Sequence, residues 1–596
     1  VKDILTIPRP EYPRPQLVRP DWVNLNGEWA FEIDHGKSGK ERNWFNANQK
    51  FTHKINVPFC PESRLSGIEY TDFMAAVWYK RSFTIPSSWN DKRILLHFGA
   101  VDYDTEVWVN GQSVGTHRGG YTPFSFDITT YIQSGTNIVT VCAEDDVRSG
   151  LQPRGKQCDS YNSWGCDYTR TTGIWQTVWV ECVPRAGYIS SVKISPDLAN
   201  ECVHVEAKIN GESNRSWSFT SAVAYEQKQV GSQQAVVSGQ RARVTIPISD
   251  IHAWEPGNAH LYDLHLTLLY DDQKVDEVQS YFGLRSVALD GMAFKINDKS
   301  VFQRLVLDQG FYPDGIYTAP TDEDLRNDIE LSMKLGFNGA RLHEKVFEPR
   351  FLYWADKLGY LVWGEYANWL FDITTATGLE RVLPEWMEAM ERDINHPSII
   401  GWCPFNETWD KNGTKQNDEV VRIVYNVTKQ LDPTRPVIDA SGFYHVSTDI
   451  FDVHDYDQNP ETFKKRYEPM REGGNVHVPF PDRQRYEGQP YFVSEFGGIW
   501  WDPLAKNEKS WGYGERPSTE EEFFTRYEGL VSVLLDNPNI FGFCYTQLYD
   551  VEQETNGLYT YDRKIKFEQS VIQNINSRAA AIESPLMKPS KPAVKS

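Results

Sequence analysis

Two short segments place carboxylates where they could act on a substrate. The first runs from Asn395-His-Pro-Ser-Ile-Ile400 into Gly401-Trp-Cys-Pro-Phe-Asn-Glu-Thr-Trp-Asp410, so an apolar run of strand length ends in the pair Asn406-Glu407. The second, Pro490-Tyr-Phe-Val-Ser-Glu-Phe-Gly-Gly498, is another apolar strand-like run, ending in Glu495. Two carboxyls on strand ends suit cleavage of a glycosidic bond with retention. One protonates the departing oxygen and the other attacks the anomeric carbon, with the groups about 5–5.5 Å apart. Taken singly, each glutamate also reads as an acid capping a strand in an ordinary α/β domain. The reading turns on whether the two strands belong to a barrel, whose C-terminal strand ends share one mouth.

The surrounding chain has that grammar. Strand patterns recur at Val301–Leu307, Asn338–Arg341, Tyr360–Glu365, Ile400–Phe405, Pro436–Asp439, Phe451–His454, Tyr491–Glu495 and Ile540–Thr546. Helical patterns lie between them. Thr321 with Asp324 three residues on predicts a capping box before Leu325, Ile329 and Met333. A further helix is expected around 351–358, and another over 520–535 with Phe523, Tyr527, Leu530 and Leu534 at helical spacing. Eight strand–helix units in about three hundred residues predict a (β/α)8 TIM barrel over 290–596. Its tail, Lys588–Ser596, is expected to be disordered.

Upstream the pattern is all β. Residues 1–185 alternate short strands and turns, with two runs joined through Asn110-Gly111 giving a hairpin signal. A jelly-roll β-sandwich is expected there. Residues 186–289 repeat the style in about a hundred residues, with strands at Val203–Ile209, Ala242–Pro247 and Leu261–Leu268, which predicts an immunoglobulin-like β-sandwich.

Composition narrows the partners. With 82 acidic against 61 basic residues the formal charge is −21, which opposes nucleic acid or an anionic membrane as partner. No apolar run is long enough to span a bilayer. The 20 Trp, 30 Tyr and 30 Phe mostly fill β cores, and a minority on loops suit the apolar faces of sugars. Eight cysteines in 596 residues are not a disulfide framework, although Cys158 and Cys166 are near enough to suggest a loop bridge. No cysteine or histidine set has zinc-ligand spacing. The chain opens Val1-Lys-Asp-Ile without a secretory signal pattern, so a cytoplasmic protein, or the mature form of an exported one, is expected.

Taken in order, several motifs resemble glycoside hydrolase family two, the family of β-galactosidase, β-glucuronidase and β-mannosidase. They are Val107-Trp-Val-Asn-Gly111, Gly173-Ile-Trp175, Trp254-Glu-Pro-Gly-Asn-Ala-His-Leu-Tyr262, Phe282-Gly-Leu-Arg285, Asn338-Gly-Ala-Arg341, Asn395-His-Pro397, Asn406-Glu407 and Ser494-Glu495. The resemblance implies Glu407 as general acid/base and Glu495 as nucleophile. It implies Arg341 as a cation beside the nucleophile, Asn406 as donor to the sugar 2-hydroxyl and Tyr456 against the nucleophile. Asp167 is expected to reach from the first domain to sugar hydroxyls. His343 and His454 read equally as core histidines or sugar ligands. Trp500, Trp501, Trp369 and Phe371 would wall the sugar or pack in the core, and Gln547 stands where some relatives place a late tryptophan. Glu407 has to be protonated in the first step, so burial and neighbouring negative charge are expected to raise its pKa.

Two departures bear on the sugar. The Asn-x-Lys pair with which glucuronidases of the family grip a carboxylate is replaced by Glu554-Thr555-Asn556, ahead of Gly557-Leu-Tyr-Thr-Tyr-Asp-Arg563. The magnesium-binding pattern of large β-galactosidases is missing after Glu365, so neither a metal nor another cofactor is implied. A retaining exo-acting hydrolase of a neutral sugar, a β-galactosidase first, is therefore expected. An arabinosidase or a β-glucuronidase or galacturonidase are the alternatives, with Arg154 or Lys156 as a substitute clamp. A silent carbohydrate-binding protein is the reading from another class, and the chain is free to form a homo-oligomer.

Overall fold

The computed structural model describes residues 7–212, 216–411, 413–503 and 509–584. The tail from 588 to 596 lies outside them. Two antiparallel sheets form the first unit. A four-stranded sheet, ordered Trp22–Asn24, Val178–Pro184, Lys92–Phe98, Phe124–Asp127, faces a six-stranded one built around Ala76–Thr84 and Thr136–Glu144. Trp29, Phe31, Tyr79, Leu96, Phe98, Val107 and Val141 fill the space between them. The hairpin read at Asn110-Gly111 joins Asp104–Val109 to Gln112–Arg118, and both turn residues take the positive φ that a two-residue hairpin turn requires (50° and 80°).

The second unit packs a three-stranded sheet, Gly187–Asp197, Cys202–Gly211 and Arg241–Pro247, on a four-stranded one that includes Trp217–Tyr225 and Tyr262–Tyr270. Its strands alternate buried and exposed residues, as sheets with one wet face do. A small meander over 287–300 follows. It lays Phe294 against Phe541 near the start of the last barrel strand.

The third unit is the TIM barrel. Seven parallel strands form one sheet in the order Ile399–Cys403, Leu361–Glu365, Gly339–Leu342, Gln303–Asp308, Ile540–Thr546, Tyr491–Gly497, Phe451–Asp455. These are the fourth, third, second, first, eighth, seventh and sixth strands in chain order. The fifth, expected at Pro436–Asp439, pairs with the fourth there, Trp402 N–H donating to the Pro436 carbonyl at 3.1 Å and Ile438 N–H to the Trp402 carbonyl at 3.0 Å, and runs on irregularly. Paired strand structure falls at Ala440–Ser441, against Phe405–Asn406, with a single bridge from Val437 to Trp402. Pro436 offers no N–H to a ladder. Asp439 spends its carboxylate on His445 and on the backbone N–H groups of Val446 and Ser447. The gap between fifth and sixth strands is crossed by side chains, with Ser441 Oγ donating to Asp452 at 2.5 Å. The helix Asp322–Lys334 opens on the expected capping box, and Glu520–Leu535 matches its predicted span. All eight cysteines, Cys158 and Cys166 included, are free thiols. No helix among the described residues is long and apolar enough to cross a membrane.

Candidate active site

The nucleophile side starts from Arg341, a buried guanidinium at the end of the second strand, 1% exposed. A charge in such a place needs acceptors on all sides. It has four: Glu365 Oε1 at 2.5 Å, the Ser494 carbonyl at 2.9 Å, Glu495 Oε1 at 3.1 Å and Asn406 Oδ1 at 2.9 Å. The other oxygen of Glu495 accepts from Tyr456 OH at 2.6 Å. Tyr456 is fixed in turn by Thr546 Oγ1 at 2.9 Å and by a face-to-face stack on Tyr513, 3.6 Å between ring centres. That stack needs Gly498, because a Cβ there would stand 2.4 Å from the Tyr513 ring.

The acid side hangs from the fourth strand. Asn406 exchanges two hydrogen bonds with Asn368 on the loop after the third strand, through its N–H (2.8 Å) and its carbonyl (3.0 Å). Arg341 holds Oδ1 of Asn406, which leaves Nδ2 buried with no partner. An orphaned buried donor at this place is ready for a ligand hydroxyl. Glu407 follows in left-handed backbone (φ 43°), a strained state for a non-glycine residue of the kind that clusters at functional sites. One oxygen of Glu407 and one of Glu495 lie within 4.8 Å of each other, with a ring nitrogen of His454 inside the same radius. This is the close spacing of a double-displacement pair.

His454 sits between the two carboxylates, its Nδ1 2.7 Å from Glu407 Oε1 and 3.4 Å from Glu495 Oε2. Its Nε2 lies 3.1 Å from Ser441 Oγ, whose own proton goes to Asp452. Nε2 also stands 3.4 Å from Arg341 Nη1, which can only donate, so the ring's charge is set by its carboxylate neighbours. Burial alone would lower its pKa, but Glu495 and Glu407 raise it above the ordinary value. Glu407 moves the opposite way from the expected rise. Burial pushes it up, but the His454 hydrogen bond and charge, aided by Lys156 and Arg341, bring it below the usual carboxylate value. The proton needed for acid catalysis thus rests on His454, one hydrogen bond from Glu407. His343 lies 3.2 Å from Glu365 and 3.8 Å from Glu495, and burial holds its pKa well below normal, so it is a neutral ring in the site.

The first domain supplies the rest through one long loop. Tyr168 OH donates to Glu554 at 2.5 Å, Gln553 Nε2 donates to the carbonyls of Gly165 and Asp167, and Trp511 Nε1 donates to Gly165. Asp167 is carried to the barrel this way. Burial raises its carboxyl to about 6, against the pull of Arg154 and Lys156, and its Oδ1 is buried without a partner. Lys156, buried on the same loop, has its ammonium 3.3 Å from the centre of the Trp369 ring. Gln547 is fully buried and bonds Asn556, with its Oε1 unpartnered.

Not every candidate belongs here. Trp501 stacks on Phe567 and tilts on Phe523, and Phe371 is buried against Gly378, so both pack the barrel instead of walling a sugar. Trp500 lies on the loop after the seventh strand, beside Gly512, with its Nε1 buried and without a hydrogen-bond partner. The sequence reading did not single out Glu365, Asn368 or Tyr513 as site residues. Glu365 had a signal, since it also ends a barrel strand; Asn368 and Tyr513 sit on loops whose course no periodicity reveals.

Comparison with known proteins agrees with this layout. Three family models match in succession: the sugar binding domain of glycosyl hydrolases family 2 over residues 22–182, glycosyl hydrolases family 2 over 187–285, and the TIM barrel domain of that family over 318–500. A putative beta-glucuronidase of Formosa agariphila is 28% identical over 496 residues, 76% of this chain and 57% of its own length. A beta-glucuronidase of Paenibacillus borealis is 26% identical, over 72% of this chain and 74% of that one. A beta-galactosidase of Thermoanaerobacter pseudethanolicus is 24% identical over 70% of this chain and 55% of that protein. Among solved structures, Bifidobacterium dentium beta-glucuronidase complexed with coumarin-3-O-glucuronide shares the fold, with TM-score 0.80, 19% identity, and 94% and 98% of the two chains covered.

Proposed function

The chain belongs to glycoside hydrolase family 2, and on that premise we propose that it is a retaining exo-β-glycosidase acting on terminal β-glucuronides. Glu495, oriented by Arg341 and Tyr456, attacks the anomeric carbon. Glu407 passes the proton stored at His454 to the leaving oxygen, then as a carboxylate activates the water that releases the sugar. Asn406 Nδ2 bonds the sugar 2-hydroxyl, a contact that tightens as positive charge grows on the ring. The observation that carries the mechanism is the close carboxylate pair, one member held by Arg341 and Tyr456 and the other by His454.

The sugar assignment shifts from the galactoside expected on sequence. That expectation rested on the lysine missing ahead of Gly557, whereas the site does contain a buried lysine, delivered by the first domain. The names carried by several relatives point the same way. A neutral β-galactoside is the second reading, favoured by the carboxylate of Glu554 close to that lysine. Nitrophenyl β-glucuronide, galacturonide, glucoside and galactoside assayed side by side test the sugar, and proton NMR of the first-released anomer tests retention. The glucuronide is expected to have the highest kcat/KM and to release β-glucuronate. A faster galactoside would overturn the sugar, and an α-anomer the mechanism.

A further inference from the structure

Two cations sit on the first-domain loop Gln152-Pro-Arg-Gly-Lys-Gln157, and the structure treats them differently. Arg154 is turned mainly to its own loop, although its Nη2 is buried without a hydrogen-bond partner. It bonds the Gln157 carbonyl and stands 3.6 Å from both Asp159 and Asp167. Lys156 is 5% exposed, and among the described residues its ammonium donates no hydrogen bond; it lies over the Trp369 ring, 3.3 Å from its centre.

The backbone around Lys156 is pinned from two sides. Gly155 N–H donates to the Ala367 carbonyl at 3.0 Å, and the Lys156 carbonyl accepts from Tyr168 at 2.7 Å. The approach at Gly155 admits no side chain, since a Cβ would lie 2.1 Å from the Glu344 carbonyl, and its φ is +57°. The nearest acids do not use the ammonium's hydrogens. Glu554 already accepts from Tyr168 OH and from Asn556 Nδ2 (2.9 Å), Glu344 from the Trp369 N–H (2.9 Å), and Glu407 from His454. Against burial, Cys166, Glu407, Glu554 and Glu344 hold the ammonium charged, above the ordinary lysine value, yet no hydrogen bond among the described residues uses its three donors, which stay free for a ligand's acceptors.

We propose that Lys156 receives the carboxylate of a uronic-acid substrate, so that the first domain supplies the charge recognition for the barrel's chemistry. The proposal rests on the glucuronidase reading above and names the residue that would make it selective. Ammonium and carboxylate pair through charge-assisted hydrogen bonds, and the Trp369 ring holds the ammonium in place without competing for its donors.

The test compares nitrophenyl β-glucuronide with the neutral β-glucuronamide and β-glucoside in the unaltered enzyme, Lys156→Met and Lys156→Arg. Removing one member of a buried charge pair predicts roughly a hundredfold loss in kcat/KM for the glucuronide in Lys156→Met. The amide and glucoside should lose at least about tenfold less than the acid, so that the preference for the acid collapses, and Lys156→Arg should keep most of that preference. Equal losses on all three substrates would make Lys156 a structural counter-charge and overturn the proposal. An unaltered enzyme that prefers the galactoside would instead overturn the glucuronidase reading, whatever the variants do. Where Lys156→Met does not fold, crystals of the unaltered protein soaked in D-glucuronate decide: a carboxylate on Lys156 Nζ supports the assignment, and one held elsewhere refutes it.

Discussion

Replacing His454 with glutamine should move the basic limb of the pH–rate profile toward acid. In the unaltered protein Glu407 and His454 share one proton across 2.7 Å, with the carboxyl pKa lowered and the imidazole pKa raised. The pair therefore keeps its proton as pH rises past the ordinary histidine value, about 6.5, and loses it only at the raised value. Glutamine can neither hold that proton nor carry the charge, so Glu407 must hold it alone. Loss of the cation lets the Glu407 pKa rise, by no more than about three units if two charges 4 Å apart interact by about 4 kcal/mol. A proton with two homes is nevertheless bound at least as tightly as a proton with one. The variant's limb cannot lie above that of the unaltered enzyme. Because the imidazole pKa is raised and the carboxyl pKa lowered, the histidine is the preferred home, and a preference of tenfold or more sets the displacement at about one pH unit or more, worth about 1.4 kcal/mol per unit. The assay is kcat/KM against pH with an alkyl glycoside, whose basic leaving oxygen needs the proton. A dinitrophenyl glycoside, which departs without it, should show no displaced limb. An unchanged limb, or one moved to higher pH with the alkyl substrate, would refute His454 as the proton's resting place.

Three further outcomes are expected. Glu495→Ala should abolish turnover, and added azide should restore part of it as a glycosyl azide of inverted configuration; near-normal activity without azide would remove Glu495 from the nucleophile's role. Glu407→Gln should slow glycosylation by alkyl glycosides about 10²–10⁴-fold more than by activated aryl glycosides, and equal losses in single-turnover measurements would exclude it as the acid. Glu62, buried beneath the Thr172 N–H, has its carboxyl raised by burial to about 8, above the ordinary 4.5. Its contribution to stability is full below the lower value and fades as pH rises through the higher one. Urea unfolding of the unaltered protein, set against Glu62→Gln, should diverge by roughly 2–4 kcal/mol between pH 4.5 and 8, and parallel curves would contradict the burial argument.

Much of this architecture was legible in the chain because periodicity and turn chemistry are local. The positive-φ pair Asn110-Gly111, the Thr321–Asp324 box and the helix over 520–535 are each specified by residues within a few positions of one another. Barrel strands read well for the same reason: an apolar run ending in a polar residue marks both a buried strand and its catalytic end, which is how Glu407 and Glu495 were found, with Arg341 added by the family resemblance. The fifth strand begins where it was expected, with Pro436 and Ile438 bonded to Trp402, and its regular pairing extends past the expected end to Ala440–Ser441. Trp501 and Phe371 were ambiguous because an aromatic ring suits a core and a sugar equally, and only neighbours such as Phe567 decide.

Charge was the hardest part to read, because it acts through space. Glu407 follows directly on an apolar strand, a setting that predicts a raised pKa. The opposing imidazolium arrives from residue 454, on another strand, and reverses the sign. The sugar preference followed the same logic. Ahead of Gly557 the chain lacks a lysine, so a neutral substrate was expected. Yet a barrel mouth collects side chains from every loop that reaches it, and Gly155 lets the 152–157 loop approach the Glu344 backbone where no other residue would fit. A cation can therefore enter the site about four hundred residues upstream of the motif that lacks it. An absent motif shows only that its own loop does not bring the charge, and the loops that remain have to be traced in three dimensions before the substrate's charge is inferred.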